Sequence, residues 1–271
     1  MLPVFEKAYA KLNLTLDVLG KRADGYHDLD MIMQTVTLCD TLSVRKDDGV
    51  GIQVMTNLGY LPCDERNIAY TAAKAFCSHT GCSYDGLHIV IEKRIPVAAG
   101  MAGGSADGAA VLRALNRICE THLSLPELAA IGKEVGADVP YCVCGGTMRA
   151  RGIGERLDAL PEIPHCYILL CKPQFGMSTA RVFGALNCSS IQVRPDTETM
   201  IAALEQQDLR KIAGLVSNVL ESVVSAEHAE IRKLRRIMME CGALGACMSG
   251  SGSTVLASLI PRRAQKRATD G

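Results

Sequence analysis

Residues 10 to 18 alternate without a break. Ala10, Leu12, Leu14, Leu16 and Val18 occupy one face, and Lys11, Asn13, Thr15 and Asp17 the other. A period of two predicts a strand buried on one face only, with Lys11 and Asn13 about 7 Å apart on its polar face. Further strands are predicted over 34–44, over 52–55 and over 87–91, where Leu87, Ile89 and Ile91 alternate. Residues 67–78 read as a helix with Asn67 near its start. Val111, Leu115, Ile118 and Cys119 fall on one helical stripe after a glycine-rich loop. Ser124-Leu-Pro-Glu127 is a capping box, and Gly136 stands where a helix C-cap belongs. The unbroken apolar run from Tyr167 to Cys171 predicts a buried strand. Helices are expected over 197–206, 208–222 and 227–241, the last with Ile231, Leu234, Ile237, Met238 and Cys241 on one stripe, and an apolar run at 254–260 closes the pattern. Mixed strands and helices without a regular βαβ repeat favour an α+β fold. The pattern shifts near 150–160, so residues 1–155 and 156–271 are expected to form two lobes.

Composition narrows the function classes. The 271 residues carry 29 Lys+Arg against 29 Asp+Glu. A balanced charge argues against a nucleic-acid footprint or a polybasic membrane surface. Four Phe, seven Tyr and no Trp imply an aliphatic core and make stacking on a long single strand unexpected. The N-terminal segment carries Glu6, Lys7 and Lys11 and has no unbroken apolar stretch, so no signal peptide is read and a cytoplasmic location is expected. Twelve cysteines are scattered without a C-x-x-C pair. They are expected to be mostly small buried hydrophobes rather than disulfides or metal ligands.

Four segments can carry chemistry. Pro96-Val97-Ala98-Ala99-Gly100-Met101-Ala102-Gly103-Gly104-Ser105-Ala106 runs from a strand end into a helix start. Small residues admit a ligand close to the backbone, and the free N–H groups of a first helical turn favour an anion. The spacing is neither that of a Walker A loop nor G-x-G-x-x-G, and a tight connection with Ser105 as N-cap fits it equally. Asp138, in Gly136-Ala-Asp138-Val-Pro140, is either an N-cap or a general base for a hydroxyl. Lys11 is either a solvated strand residue or the base's cationic partner. Met248-Ser249-Gly250-Ser251-Gly252-Ser253 is either a flexible hairpin or a second wall around a polar ligand. The basic residues Arg262, Arg263, Lys266 and Arg267 read as a solvated face or a frayed end.

Taken in order, these segments resemble the GHMP kinases. The middle motif stands here as PVAAGMAGGS; AKLNL with KRADGYH at 21–27, GADVP at 136–140, RGIGE at 151–155 and SGSGS at 249–253 resemble one subfamily, the kinases of a cytidine-diphosphate-linked methylerythritol. The resemblance spans about residues 8 to 260. It implies two lobes, the first similar to ribosomal protein S5 domain 2 and the second ferredoxin-like. It also implies ATP-dependent phosphorylation of the substrate's 2-hydroxyl, a tertiary alcohol, on the non-mevalonate route to isoprenoid precursors.

Carried onto this chain, the resemblance makes Asp138 the acceptor of the hydroxyl proton and Lys11 the group that orients it. The loop 96–106 holds the ATP phosphates with Mg2+ as the accompanying ion, its ligands unassigned, and Asn67 lies close to the nucleotide. Tyr26 and His27 form a cytosine pocket with Phe183 stacking opposite, and Asn13 helps hold the acceptor. ATP and one small molecule are the expected partners, with no nucleic acid and no membrane, for a monomer or weak homodimer. Other readings are a GHMP kinase acting on another small alcohol, or a silent member that senses ATP. Met101 and Ala102 replace the family's Leu-Gly. A left-handed backbone at Ala102 would cost about 1 kcal/mol. The chain ends in PRRAQKRATDG, where the resemblance implies a further helix and strand.

Overall fold

The first strand, β1 (Val4–Lys21), runs well beyond the predicted alternation, and every side chain from Ala10 to Val18 is buried. The expected solvated face does not exist: Lys11 and Asp17 are only 5% and 6% exposed, and Asn13 and Thr15 not at all. Alternation reports polarity, and a polar row can be buried when its atoms find partners. The Thr15 hydroxyl accepts the Ile32 N–H at 3.0 Å. Asp17 accepts its neighbour Val18 at 2.8 Å and the Arg194 guanidinium at 2.6 Å.

A computed structural model describes residues 2–259. Two units, interleaved along the chain, make up the fold. The first takes the chain up to Lys11, Thr35–Val97 and Ala102–Gly145; the second takes Leu12–Gln34, Ala98–Met101 and the chain from Gly146 on. Both β1 and β2 (His27–Lys46) contribute to each unit.

In the first unit β3 (Ile52–Thr56) lies parallel to β4 (Leu87–Glu92), and β4 lies antiparallel to β2, with Thr41 opposite Glu92. The helices are α1 (Ile68–Thr80), α2 (Gly103–Ile118), α3 (Leu125–Val135) and α4 (Val139–Cys144). Leu87, Ile89 and Ile91 of β4 are buried, as are Ala69, Ala72, Ala73 and Phe76 of α1 and the alanines of α2. Gly108 lets α2 approach α1 closely: a Cβ there would stand 2.9 Å from the Ile68 side chain. The predicted ends hold. Asn67 caps α1, Ser124 and Glu127 form the box at α3, and Gly136 closes it.

In the second unit β5 (Thr147–Gly152) pairs antiparallel with β2, Leu29 opposite Gly152, and forms a hairpin with β6 (Arg156–Ala159). A separate sheet has the order β7 (Tyr167–Cys171), β10 (Val255–Leu259), β9 (Gly245–Met248). The helices are α5 (Thr179–Ala185), α6 (Thr197–Glu205), α7 (Leu209–Gly214), α8 (Glu221–Glu227) and α9 (Ala229–Glu240). The predicted helix 208–222 is therefore broken. Ser217 and Asn218 form a short strand, β8, parallel to β1, and the Asn218 amide donates to the carbonyls of Met248 and Gly250.

Two further expectations change. The run 167–171 is not buried, because β7 is an edge strand whose Tyr167 and Leu169 are about half exposed among the described residues. Of the twelve cysteines, all free, only Cys77 and Cys247 are buried, and Cys63 and Cys241 are exposed. Small size lets a thiol sit at any depth. Among the described residues no helix is long and apolar enough to cross a membrane. Ile260 and the segment 261–271, with Arg262, Arg263, Lys266 and Arg267, lie outside the described residues.

Candidate active site

The loop between β4 and α2 places a left-handed residue at every second position: Ala98 at φ 51°, Gly100 at 73° and Ala102 at 54°. Gly100 is there because nothing larger fits, since a Cβ would lie 2.2 Å from the Ser249 carbonyl oxygen. Ser249 returns the contact, its hydroxyl donating to the Gly100 carbonyl at 3.0 Å. Ala99 accepts the Thr254 N–H at 3.4 Å, and Met101 is buried. The loop 248–253 is thus a packed wall rather than a free hairpin.

The N-cap of α2 is Ala102, not Ser105, which already lies inside the first turn. Alanine has no side-chain oxygen, so nothing on the cap residue competes for the first-turn N–H groups, and these remain suited to an anion. Gly103 and Gly104 keep that turn narrow: a Cβ would meet Ile95 at 3.0 Å on the first and Ile68 at 3.1 Å on the second. Ala106 is buried, its N–H returning to the Ala102 carbonyl at 2.9 Å, while Pro96 and Val97 are half-buried at the loop's entrance.

In the first unit the Lys11 ammonium stands 3.7 Å from the Asp138 carboxylate, the lysine buried and the aspartate about one-third exposed. Asp138 occupies the N-cap position of α4, yet its side chain makes no capping bond. Its backbone is helical there (φ −86°, ψ −11°), and Pro140 removes one N–H from the first turn. The carboxylate is thus not spent on the helix end and faces the Lys11 ammonium. Asn67 spends its side chain differently, accepting the Ala69 N–H at 3.0 Å and donating to the Pro62 carbonyl at 2.8 Å. One amide hydrogen and one lone pair remain on it.

In the second unit Asn13 is fully buried. Its N–H donates to the Ser249 hydroxyl at 3.3 Å and its amide points to the Met31 sulfur at 3.2 Å. The KRADGYH turn is held by Arg22, which pairs with Asp24 and Asp28 and whose N–H reaches the Tyr26 carbonyl at 2.8 Å. Tyr26 is exposed on that turn. The His27 and Phe183 rings come together, centroids 5.4 Å apart and tilted by 39°.

Three features escape sequence reasoning. A buried cluster of Asp40, Lys93 and Asp107 sits beside the start of α2. Arg194 ties the segment after α5 to Asp17. Phe175 stacks on His228 at 3.9 Å. Only the first carried a signal, charged residues flanking a loop of small ones.

Comparison with known proteins gives the family. Residues 67–146 match the GHMP kinases N terminal domain and residues 200–270 the GHMP kinases C terminal domain. A 4-diphosphocytidyl-2-C-methyl-D-erythritol kinase of Lachnoclostridium phytofermentans is 48% identical over 262 residues, covering 97% of this chain and 90% of that protein. One from Exiguobacterium sibiricum is 47% identical, covering 94% and 88%. A crystal structure of a 4-(cytidine 5'-diphospho)-2C-methyl-D-erythritol kinase matches with a TM-score of 0.81 at 31% identity, covering 98% of this chain and 94% of that one. The homoserine kinase of Cytophaga hutchinsonii shares the fold, with a TM-score of 0.78 at 20% identity over 98% and 88%. The fold is the α+β fold of the GHMP kinases, and the chain belongs, within them, to the family of ATP-dependent 4-diphosphocytidyl-2-C-methyl-D-erythritol kinases.

Proposed function

We propose that this chain transfers the γ-phosphoryl group of ATP to the 2-hydroxyl of 4-(cytidine 5'-diphospho)-2-C-methyl-D-erythritol, on the non-mevalonate route to isoprenoid precursors. The observation that carries the chemical step is the uncapping Asp138 carboxylate beside the buried Lys11 ammonium, 3.7 Å away. Asp138 takes the hydroxyl proton as the substrate oxygen bonds to the γ-phosphorus. The bond from that phosphorus to the β–γ bridging oxygen breaks, and ADP leaves. Lys11 orients the attacking oxygen and offsets the charge on the phosphoryl oxygens. Such a transfer asks mainly for positioning and electrostatic stabilisation.

The loop 96–106 receives the ATP phosphates on the N–H groups at the start of α2, with Asn67 close to the nucleotide. Mg2+ enters with the nucleotide: such an ion is held largely by phosphate oxygens and waters and needs no all-protein cage. None is found among the described residues. His27 hydrogen-bonds the cytosine, Phe183 stacks on it with Tyr26 alongside, and Asn13 helps hold the acceptor. Residues 1–155 and 156–271 stand as the two lobes of a cytoplasmic monomer or weak homodimer, with 12–34, 98–101 and 146–155 of the first grouping with the second unit. The N-terminal match at 67–146 and the C-terminal match at 200–270 fall one in each.

Coupled ADP release tests this reading, with homoserine and mevalonate as control alcohols. Release with the cytidine-linked substrate alone is expected; release with a control alone, or with none, overturns it. Asp138→Asn should bind both ligands and lose about 10²–10⁴-fold in kcat, and unchanged turnover would remove Asp138 from the mechanism.

A further inference from the structure

The loop that starts α2 rests on a buried cluster of unequal charge. Asp40, fully buried on β2, accepts the N–H groups of Arg94 at 2.5 Å and Ile95 at 2.8 Å on one oxygen, and the Lys93 ammonium at 2.5 Å on the other. The same ammonium donates to Asp107 of α2 at 2.6 Å. The second Asp107 oxygen is buried and has no hydrogen-bond partner among the described residues. Two carboxylates therefore share one cation.

They are not equivalent. Asp40 has two backbone donors besides the lysine, so both of its oxygens are partnered. Asp107 has the lysine alone, and burial pushes its carboxyl up to about 7 against the opposing pull of Lys93. On α4 the Cys142 thiol, pushed up by burial, also interacts electrostatically with Asp107.

Position makes this matter. Lys93, Arg94 and Ile95 form the chain just before the loop, and Asp107 lies one turn into the helix just after it. The ammonium also fills the space beside Gly103, where a Cβ would stand 3.4 Å from it. With Asp107 protonated the cluster is neutral; with Asp107 charged it carries one negative charge beneath the helix start. We propose that Asp107 is a proton-linked positioning residue, which ties the two ends of the loop together through Lys93 and takes up a proton when a polyphosphate binds there.

This rests on the loop being the phosphate site, and linkage supplies the rest. If a polyanion prefers the neutral cluster, binding it must raise the cluster's affinity for a proton. ATP should then bind more weakly as pH rises from 6 to 8.

The test is calorimetric titration of the whole protein with ATP and Mg2+ at pH 7, in buffers of different ionisation enthalpy. The wild type should take up a fraction of a proton, up to about one half, beyond that taken up by Asp107→Asn. The asparagine keeps the acceptor for Lys93 and removes the titration. Equal uptake in the two proteins overturns the proposal. KM for ATP should rise several-fold from pH 6 to 8 in the wild type and stay flat in Asp107→Asn after the shared trend is subtracted. Asp107→Ala should raise KM for ATP at nearly constant kcat, and Asp107→Asn should rescue it; a lowered Tm with unchanged KM would mean a structural role only and overturn it. Titrations with ADP, AMP and adenosine separate the two readings. Adenosine binding as well as ATP removes the phosphate loop itself, whereas a normal ladder with equal proton uptake removes only the role of Asp107.

Discussion

Ser249 and Gly100 hold each other from both sides: the serine hydroxyl donates to the glycine carbonyl at 3.0 Å, and the serine carbonyl fills the space where a glycine Cβ would be. The same hydroxyl accepts the N–H of Asn13 at 3.3 Å. One small side chain thus fixes part of the loop 96–106 and the strand that carries Asn13.

Ser249→Ala should therefore act beyond its size. It takes the hydroxyl acceptor from a buried N–H and the donor from the Gly100 carbonyl. A loss of about 1–3 kcal/mol in stability is expected from urea unfolding, with a raised KM for ATP. Stability and KM both equal to wild type would show that the contact contributes nothing.

The loop's backbone gives two opposite expectations. Ala102 sits at φ 54°, where its Cβ is strained, so Ala102→Gly should stabilise by about 1 kcal/mol and raise Tm by roughly 2–4 °C. Gly100→Ala should do the reverse and more, because its Cβ would meet backbone at 2.2 Å. A thermal scan of both variants distinguishes them, and an unchanged Tm in Gly100→Ala would contradict the close approach.

Stability should also depend on pH through Asp107. Its carboxyl moves from 3.8 to about 7 on folding. The native state then binds the proton more tightly, and the stability linked to it is complete below pH 3.8 and lost as pH rises through 7. Measured against Asp107→Asn, the wild type should lose several degrees of Tm between pH 5 and 8. A constant difference would place the carboxyl at its ordinary value.

Thiol chemistry should sort the cysteines by depth. Burial pushes the Cys77 thiol up to about 11 and raises Cys247 further, so neither presents thiolate near neutral pH. A disulfide reagent at pH 7.5 should modify Cys63 and Cys241 fast and release all twelve only after denaturation. Rapid labelling of Cys247 in the folded protein would refute its burial.

Local signals in the sequence read well. Asn67, the Ser124–Glu127 box and Gly136 act on backbone groups within a few residues of themselves, so the helix ends they predict are the ones observed. The small-residue loop and Asp138 stand out in the sequence as candidates for chemistry because their composition departs from what packing alone needs. Long-range relations were not. Asp40, Lys93 and Asp107 are separated by up to 67 residues, and no local pattern announces that one lysine serves two carboxylates. The burial of both faces of β1 was hidden for the same reason, since the partners of Thr15 and Asp17 come from Ile32 and Arg194.

That doubly buried strand has a consequence for how the chain finds its place. On its apolar side, Leu12, Leu14 and Leu16 are interchangeable, and a slip by two residues would leave the core almost as well filled. The other side cannot be shifted. Lys11 has Asp138, the Asn13 amide has the Met31 sulfur, Thr15 has the Ile32 N–H and Asp17 has Arg194. Each socket differs in charge or donor, so the polar row acts as a ruler, and the strand that carries Lys11 can be read in one register only.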